Sequence, residues 1–330
     1  MNIKTTLLSS AVLLALAGCG SSSDDNSSPT EPQKSTFSLG VSDAPVNGLK
    51  AVNVVFNAIT LKAQGGEEFS FETRSENDNT MAQMVNLLDY TGSDIFALLD
   101  DQAVPAGEYS WLRADVINGD SNNLTLTSHV VYEDDSIAPL IVKRKGNDGV
   151  GEIQLDGFTL NQTANEFVLE FDLKKSLVDP QNSNEIFLKP RGVRLENLAQ
   201  SQNISGTISD SLYANCETDN VDLAPEIGDF GHAVYLYAAD VAEPTDIYQI
   251  NQQTATDSPL ATANVVLDES DNQYKFEVAF IAPGDYQLAY TCAAHIDDAE
   301  IQDVEFNLQQ IKTISVADGA DLSVNFTVSP

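Results

Sequence analysis

Basic side chains are scarce in this chain. Its 330 residues carry 16 Lys and Arg against 50 Asp and Glu, a formal charge of -34 at pH 7. A surface of that sign repels phosphate backbones and anionic headgroups, which excludes a nucleic-acid partner. The shortage is uneven: residues 198–330 hold only Lys275 and Lys312 as strong bases beside 22 acids, whereas residues 1–197 hold 14 bases and 28 acids. Histidines number three, His129, His232 and His295, and none lies three or four positions from another. Helical zinc spacing is therefore missing. A Gly-x-Ser-x-Gly elbow is also missing, which removes the usual strand-turn support of serine hydrolases. Gly146-Asn147-Asp148-Gly149-Val150-Gly151 has its glycines in the wrong order for a dinucleotide fingerprint and reads as a hairpin turn. Long helical periodicity is absent; the only modest candidate is Ser93–Leu99, where Ser93 could cap a turn or two.

The longest apolar run near the start, Leu7 to Leu16, is too short to span a bilayer, which takes roughly 20 residues. It follows Lys4 and ends in Leu16-Ala17-Gly18-Cys19. A short basic region, a short apolar core and small residues before a cleavage point mark a secretory signal peptide. The cysteine directly after Leu-Ala-Gly resembles the lipobox of bacterial lipoproteins. That resemblance implies removal of residues 1–18 and a lipid (palmitate among its acyl chains) on Cys19, so that the membrane is one partner. An ordinary signal with an incidental cysteine is the alternative. Residues 19–35 are small and polar and read as a flexible tether. In Gram-negative lipoproteins an aspartate after the lipidated cysteine favours the inner membrane. Gly20 stands there, so the resemblance implies the outer membrane, with the leaflet open.

The dominant pattern is period two, which reads as half-buried strands. Phe167–Leu173, Tyr274–Phe280 and Leu322–Val328 alternate without a fault. Comparable patterns occur at Phe37–Val41, Val52–Leu61, Glu68–Glu72, Tyr109–Val116, Leu124–Thr127, His129–Glu133, Leu140–Lys143, Ile186–Leu188, Ile204–Ile208, Val234–Ala238 and Val304–Leu308. Many short strands between Gly, Pro, Asn and Asp clusters predict an all-β chain of two antiparallel β-sandwich domains in tandem, behind the signal peptide and tether. The expected domains are 36–197 and 203–330, divided at the polar stretch around Gln200-Ser201-Gln202.

One motif recurs. Pro105-Ala106-Gly107-Glu108-Tyr109 and Ala282-Pro283-Gly284-Asp285-Tyr286 each lead into a strand. Proline and glycine make a tight turn, and the tyrosine that follows covers the sandwich end. Once Cys19 carries lipid, Cys216 and Cys292 remain, and in an exported chain they most simply form one disulfide. Cys292 shares the face of Tyr286, Leu288 and Tyr290 in an alternating run; two separate buried thiols are the alternative.

Residues 36–197 resemble a bacterial family known only as a domain of unknown function, numbered 4382. The residues that carry the likeness are Ser42-Asp43-Ala44-Pro45, Val52-Asn53-Val54-Val55-Phe56, Val85-Asn86-Leu87-Leu88-Asp89, Pro105–Tyr109, Leu112-Arg113, Phe171-Asp172-Leu173-Lys174-Lys175-Ser176 and Leu188-Lys189-Pro190. Lys143–Gly149 departs from the turn that family has there. The family implies an exported lipoprotein and no reaction. Residues 203–330 are more loosely similar to carboxypeptidase-regulatory and transthyretin-like sandwiches, through Ile204–Thr207, Val234–Tyr237 and Pro283–Tyr286. Such modules are usually non-catalytic.

Within these motifs Asp43, Arg113, Asp172 and Lys189 form the candidate polar cluster, either a ligand pocket or internal ion pairs and turn caps. Trp111 either stacks on a sugar or packs at a rim. Calcium is the one cofactor left open, at Asn118–Asn123 or Asp268–Asn272, although neither loop has EF-hand spacing. No catalytic or metal residues are assigned. The expected role is a non-enzymatic binding or structural module of the cell envelope, with an envelope protein or glycan as partner. The alternatives are a calcium- or carbohydrate-binding, adhesin-like surface module and a hydrolase using two carboxylates about 5–10 Å apart.

Overall fold

A computed structural model describes residues 34–44, 46, 48–75, 81–146, 150–180, 183–224, 230–248, 257–302 and 305–328. Cys19, the signal segment and the tether lie outside the described residues, as do Pro45 and Asn147–Gly149. The first half contains β1 (Lys34–Ala44), β2 (Leu49–Ala63), β3 (Glu68–Glu72), β4 (Gln83–Asn86), β5 (Phe96–Pro105), β6 (Gly107–Val116), β7 (His129–Tyr132), β8 (Ile137–Ile141), β9 (Gly151–Leu155), β10 (Phe158–Leu160) and β11 (Ala164–Asp172). A one-turn helix, α1 (Leu173–Ser176), precedes β12 (Leu177–Val178), β13 (Ile186–Leu188) and β14 (Val193–Asn197). After a single tight turn, Leu198–Gln200, the second half runs β15 (Gln202–Ile208), α2 (Asp210–Asp219), β16 (Ala233–Ala238), β17 (Ala261–Asn264), β18 (Val266–Asp268), β19 (Gln273–Ile281), β20 (Gly284–Thr291), β21 (Gln310–Val316) and β22 (Leu322–Ser323). The all-β reading holds.

Among the described residues the strands make four sheets. In the first half, β14-β11-β1-β5 faces a ten-stranded sheet whose spine is β10-β6-β2-β7-β8-β13-β12. In the second, β18-β19-β15-β22 faces β17-β16-β20-β21. Most pairings are antiparallel, as expected, but β1 with β11, β8 with β13 and β15 with β22 run parallel, so three of the sheets are mixed. Each parallel pair joins strands far apart in the chain, where no tight hairpin constrains direction. At Gly206 a Cβ would strike the Val324 carbonyl, so the approach of the C-terminal segment to β15 requires that residue's missing side chain.

The alternating residues fill the interiors. Phe37, Leu39, Val41, Phe167, Leu169 and Phe171 of the four-stranded sheet meet Val54, Phe56, Ile59, Leu61, Leu112 and Ala114 of the larger one. In the second half Ile204, Phe276 and Val278 meet Val234, Leu236, Leu288 and Tyr290. Each fully buried aliphatic or aromatic side chain of this kind contributes about 1.5–3 kcal/mol. The β16–β20 sheet is covered on its other face too, where Ala233, Tyr235 and Tyr237 pack with Val241, Ile247 and Ala294.

The recurrent Pro-Gly-Tyr motif performs one task in both halves. β5 lies in one sheet and β6 in the facing one, and β19 and β20 are divided in the same way, so each motif carries the chain across a sandwich. Tyr109 Oη donates to Pro105 O at 2.8 Å, and Tyr286 Oη to Ala282 O at 2.9 Å, four residues back in each case. This matches the corner geometry that fixes strand crossings in other sandwiches.

Five local readings need correction. Of Leu322–Val328 only Leu322–Ser323 forms a strand, followed by a single bridge at Phe326. Ser93–Leu99 is no helix: its C-terminal part enters β5, whose Phe96, Ala97 and Leu99 pair with Val41, Gly40 and Leu39. Leu124–Leu126 is a 3-10 turn instead of a strand, closed by Leu126 N on Asn123 O and Thr127 N on Leu124 O, with the Thr127 hydroxyl also donating to Asn123 O. Residues 305–308, the described part of Val304–Leu308, are not in a strand. Helix α2 has no counterpart among the expected elements; Ser209 caps it by accepting from Leu212 N.

Candidate functional site

The candidate residues of the first half converge on its seam with the second half. At the end of β11, Asp172 turns the chain into α1 by accepting from Lys175 N at 3.2 Å. The same carboxylate accepts from Thr262 N at 2.9 Å and from Thr262 Oγ1 at 3.0 Å, ninety residues further along. Both residues are buried. Lys175 extends its ammonium to Pro259 O at 2.7 Å and Leu260 O at 3.2 Å. Lys174 donates to Ala294 O at 2.7 Å. Lys189 pairs with Glu300 at 2.7 Å, and Arg191 joins the same carboxylate while its Nε donates to Lys175 O. Arg194 reaches Ala279 O and Phe280 O, both at 3.2 Å, and pairs with Glu196. At the far end of the seam Ser93 N donates to Glu277 Oε2 at 3.1 Å. Between these polar contacts, Val168 packs on Ala279 and Phe280, with Ile95 and Leu198 beside them.

Phe280 is held at φ 57, in the left-handed region that a bulky residue seldom occupies. The turn is fixed from both sides: Phe280 N donates to Asn203 Oδ1, and its carbonyl takes the Arg194 guanidinium. A strained residue that persists in this way is over-determined by its surroundings.

The electrostatics follow from burial. Burial pushes the Asp172 carboxyl up, opposed by the Lys175 ammonium and the Thr262 hydrogen bonds. Burial brings both lysines down, with Asp297 resisting at Lys174 and Asp172 at Lys175. Glu170, outward on β11, is pushed up to about 8 by burial, against the pull of Arg194. Asp43, fully enclosed, goes well above the carboxylate range through burial and then through Glu170 and Asp172. Its two oxygens make no well-aligned hydrogen bond, the Leu173 backbone amide alone opposing the rise, and enclosing a neutral acid in this way costs less than enclosing a carboxylate.

The four candidate polar residues therefore do not share one pocket. Asp172 and Lys189 face the seam. Asp43 lies one register position from Asp172 on the neighbouring β1, where Ala44 is the Cα partner of Asp172. Arg113 sits in the other sheet, on β6, paired with Glu152 at 3.2 Å and with Asp115 at 3.1 Å, the latter without hydrogen-bond alignment. Trp111 is half-buried on the same strand, and Lys62 and Arg113 lie 5.6 and 5.2 Å from its ring centre. The seam residues outside the four candidates are Lys174 and Lys175, which stand in the Phe171–Ser176 motif, and Arg191, Arg194, Thr262 and Glu300, which stand in none. One signal could have found some of them: the base-poor second half has few cations of its own for its acids, and the half-buried Glu300 takes Lys189 and Arg191 from the first half.

Elsewhere the chemistry-bearing residues are engaged structurally. Cys216 and Cys292 form a disulfide, and Asn220 Nδ2 lies 3.5 Å from the Cys292 sulfur. Each histidine uses both ring nitrogens. His129 bonds Thr127 O and the Asn53 amide; His232 bonds Tyr290 Oη and Glu217; His295 takes Gly231 N and bonds Leu223 O. Burial brings His232 down to about 4, so it is neutral, stacked on Tyr213 with ring centres 3.5 Å apart. In the first loop considered for calcium, Asn118 bonds Val142 N and O, and Asp120 accepts from Asn122. In the second, the Asp268 and Asp271 carboxylates both take Lys275, at 2.7 and 2.6 Å. Among the described residues, no three His, Cys, Asp or Glu are grouped to hold a metal ion.

Comparison with solved structures gives low likeness. The Bacillus anthracis TIE protein matches with 8% identity over 89% of this chain and 34% of its own, at a TM-score of 0.18; the chain thus spans about a third of that protein. A candidate cell-adhesion protein from Parabacteroides distasonis matches at 10% identity, over 86% of this chain and 82% of its own, with a TM-score of 0.19. The major pilin subunit of Bacillus cereus matches at 9% identity, over 89% and 99%, also with a TM-score of 0.19. Superpositions this poor carry no argument about function. No curated protein matches the chain. A family model does: residues 34–190 match the family described as Domain of unknown function (DUF4382), which covers the first sandwich up to Lys189 and Pro190 at the seam.

Proposed function

We propose that this protein is a lipid-anchored module of the cell envelope, non-enzymatic, whose two sandwiches act as a single rigid strut or binding platform. The observation that carries the reading is the seam: Asp172, Lys174, Lys175, Lys189, Arg191 and Arg194 are all engaged with the second half. Parting the two bodies would leave the buried Asp172 and Lys175 without their partners, a costly exposure of unpaired groups, so these contacts hold the sandwiches in register. The anchor rests on Leu16-Ala17-Gly18-Cys19, with Gly20 favouring the outer membrane of a Gram-negative cell. The loose similarity of residues 203–330 to carboxypeptidase-regulatory sandwiches, usually accessory modules, is compatible with a supporting role.

Two measurements on one protein test it. Cells expressing the chain are fed labelled palmitate; label on the protein, lost in Cys19→Ser, is expected. Calorimetry on the same chain should show one unfolding transition, and Asp172→Asn should lower or split it. A chain that never takes up label loses the anchor. Two transitions in the unaltered protein refute the rigid strut.

A further inference from the structure

Strands β11 and β14 run antiparallel, and Glu170 is the Cα partner of Arg194. Directly opposite residues put their side chains on one face of a sheet, here the face turned to the second half. An acid and a guanidinium so placed would ordinarily pair. These two do not: Glu170 Oε2 and Arg194 Nε are both buried and both without a hydrogen-bond partner. The guanidinium instead spends Nη2 on Ala279 O, and Nη1 on Phe280 O and on Glu196 Oε1. Burial explains the arrangement. It holds Glu170 up at about 8, so below that pH the side chain is a neutral acid. A neutral acid is a much weaker acceptor for a guanidinium than a carboxylate is. An unpartnered acceptor opposite an unpartnered donor is a pair that one deprotonation completes.

From this geometry we infer that Glu170 and Arg194 form a pH-sensitive latch on the seam: on ionisation Glu170 takes Arg194 Nε and Nη2 together, the guanidinium leaves Ala279 O and Phe280 O, and the seam loosens at β19. The proton goes to solvent. The arginine fork matches the two oxygens of one carboxylate, which fixes the new pairing. The residue released is the strained one. Phe280 stands at φ 57, a conformation that persists only while contacts over-determine it. Without Arg194, the polar tie left to it is its amide on Asn203 Oδ1, and the packing of Val168 on Ala279 and Phe280 loses its clamp. The surrounding groups set the pH. Arg194 and the Ser42 hydroxyl of β1 favour the ionised Glu170, whereas Asp172 of β11 and Glu196 of β14 oppose it. Glu170 in turn raises Asp43 of β1. Lys175 of α1 and Tyr286 of β20 face Arg194, and Glu277 of β19 is held at Ser93 N. A carboxyl raised in the closed state favours closure below its folded value and opening above it. The latch therefore holds under neutral conditions and gives way in alkaline ones. It rests on the seam of the rigid-strut reading and not on the lipid anchor.

The test is NMR on the full chain between about pH 6.5 and 9.5, a range that brackets the titration. The Arg194 Nε–H proton is expected to move downfield with a midpoint at about 8, as a donor does when a carboxylate takes it. Exchange of the Phe280 amide, corrected for the intrinsic effect of pH, should be at least about tenfold faster at the alkaline end, as linkage to this carboxyl requires. Glu170→Gln keeps the shape and removes the charge, so both changes should vanish in it. The Nε–H signal is read in the unaltered protein and stands even if the variant folds poorly. An Arg194 proton indifferent to pH overturns the pairing. A Phe280 amide that stays protected while Glu170 titrates, or that opens equally in Glu170→Gln, overturns the latch and leaves the strut intact. A Phe280 amide already unprotected at the acidic end refutes the rigid strut itself, and the latch with it.

Discussion

Glu170 shows what a single buried acid does at the seam. It lies on β11 between Val168, packed on Phe280, and Asp172, bonded to Thr262. Its Oε2 has no hydrogen-bond partner, and burial sets the group at about 8. A carboxyl raised in the folded state contributes stability that is fully present below its unfolded value and is lost as pH rises through the folded one. Between pH 7 and pH 9 that loss is about 1.4 kcal/mol for a group titrating near 8. Glu170→Gln removes the titration. Urea unfolding at the two pH values should therefore show the variant gaining on the native protein by about that amount at pH 9. Equal pH dependence in the two proteins would refute the buried neutral acid. In the sequence, Asp172 and Lys189 stood out as polar positions in patterned segments, and internal pairing was one of their two readings. Their partners, Thr262 and Glu300, were not legible, because no local pattern specifies which residue about a hundred positions later arrives at a strand end. Phe280 at positive φ was equally hidden, since an alternating run predicts extended backbone at every position.

At the scale of elements, the disulfide ties α2 to the end of β20 across a sequence separation of 76. Loop-closure entropy predicts about 4 kcal/mol for such a link. Cys216→Ser with Cys292→Ser should lower the unfolding free energy by roughly 2–4 kcal/mol, read as a lower urea midpoint, and reductant should bring the native protein to the same midpoint. A native protein indifferent to reductant would refute the estimate. The pairing was legible because two cysteines remained in a chain whose start reads as an export signal. Helix α2 was not, because of its ten residues only Leu212 and Cys216 are buried, too few for a helical stripe. Its Ser209 cap was visible in principle, but serines before polar runs also open loops. Ser93–Leu99 erred in the other direction: a plausible cap was overridden by the ladder to β1. The Pro-Gly-Tyr corners were read correctly as turns because their geometry is set within five residues, whereas the sheet crossing they accomplish depends on the whole sandwich. The same distinction explains the parallel pairings, which a strand pattern alone cannot orient.

At the scale of the whole molecule, charge is the dominant property, and its two halves solve it differently. The first half has cations enough to pair acids within its own strands, as Arg113 and Arg144 do with Glu152. The second has two lysines. Lys275 holds the Asp268–Asp271 turn, and Lys312, on the edge strand β21, points at Asn325 O and the Phe326 ring, blocking the open edge. Of the second half's other acids, Glu300 takes Lys189 and Arg191 from the first half and Asp297 is buried against Tyr235, while many of the rest are exposed. Self-repulsion of a -34 chain opposes the compact state, and salt screens it over about 8 Å at physiological strength. The seam contacts to backbone carbonyls are buried and respond little, and exposed ion pairs such as Lys50–Asp135 contribute about 1 kcal/mol or less. Repulsion therefore outweighs attraction in the salt response. The unfolding temperature should rise when sodium chloride goes from about 50 mM to 500 mM, where the screening length shortens about threefold. A fall over that range would mean that exposed ion pairs, and not the hydrophobic interiors and buried seam, hold the molecule together.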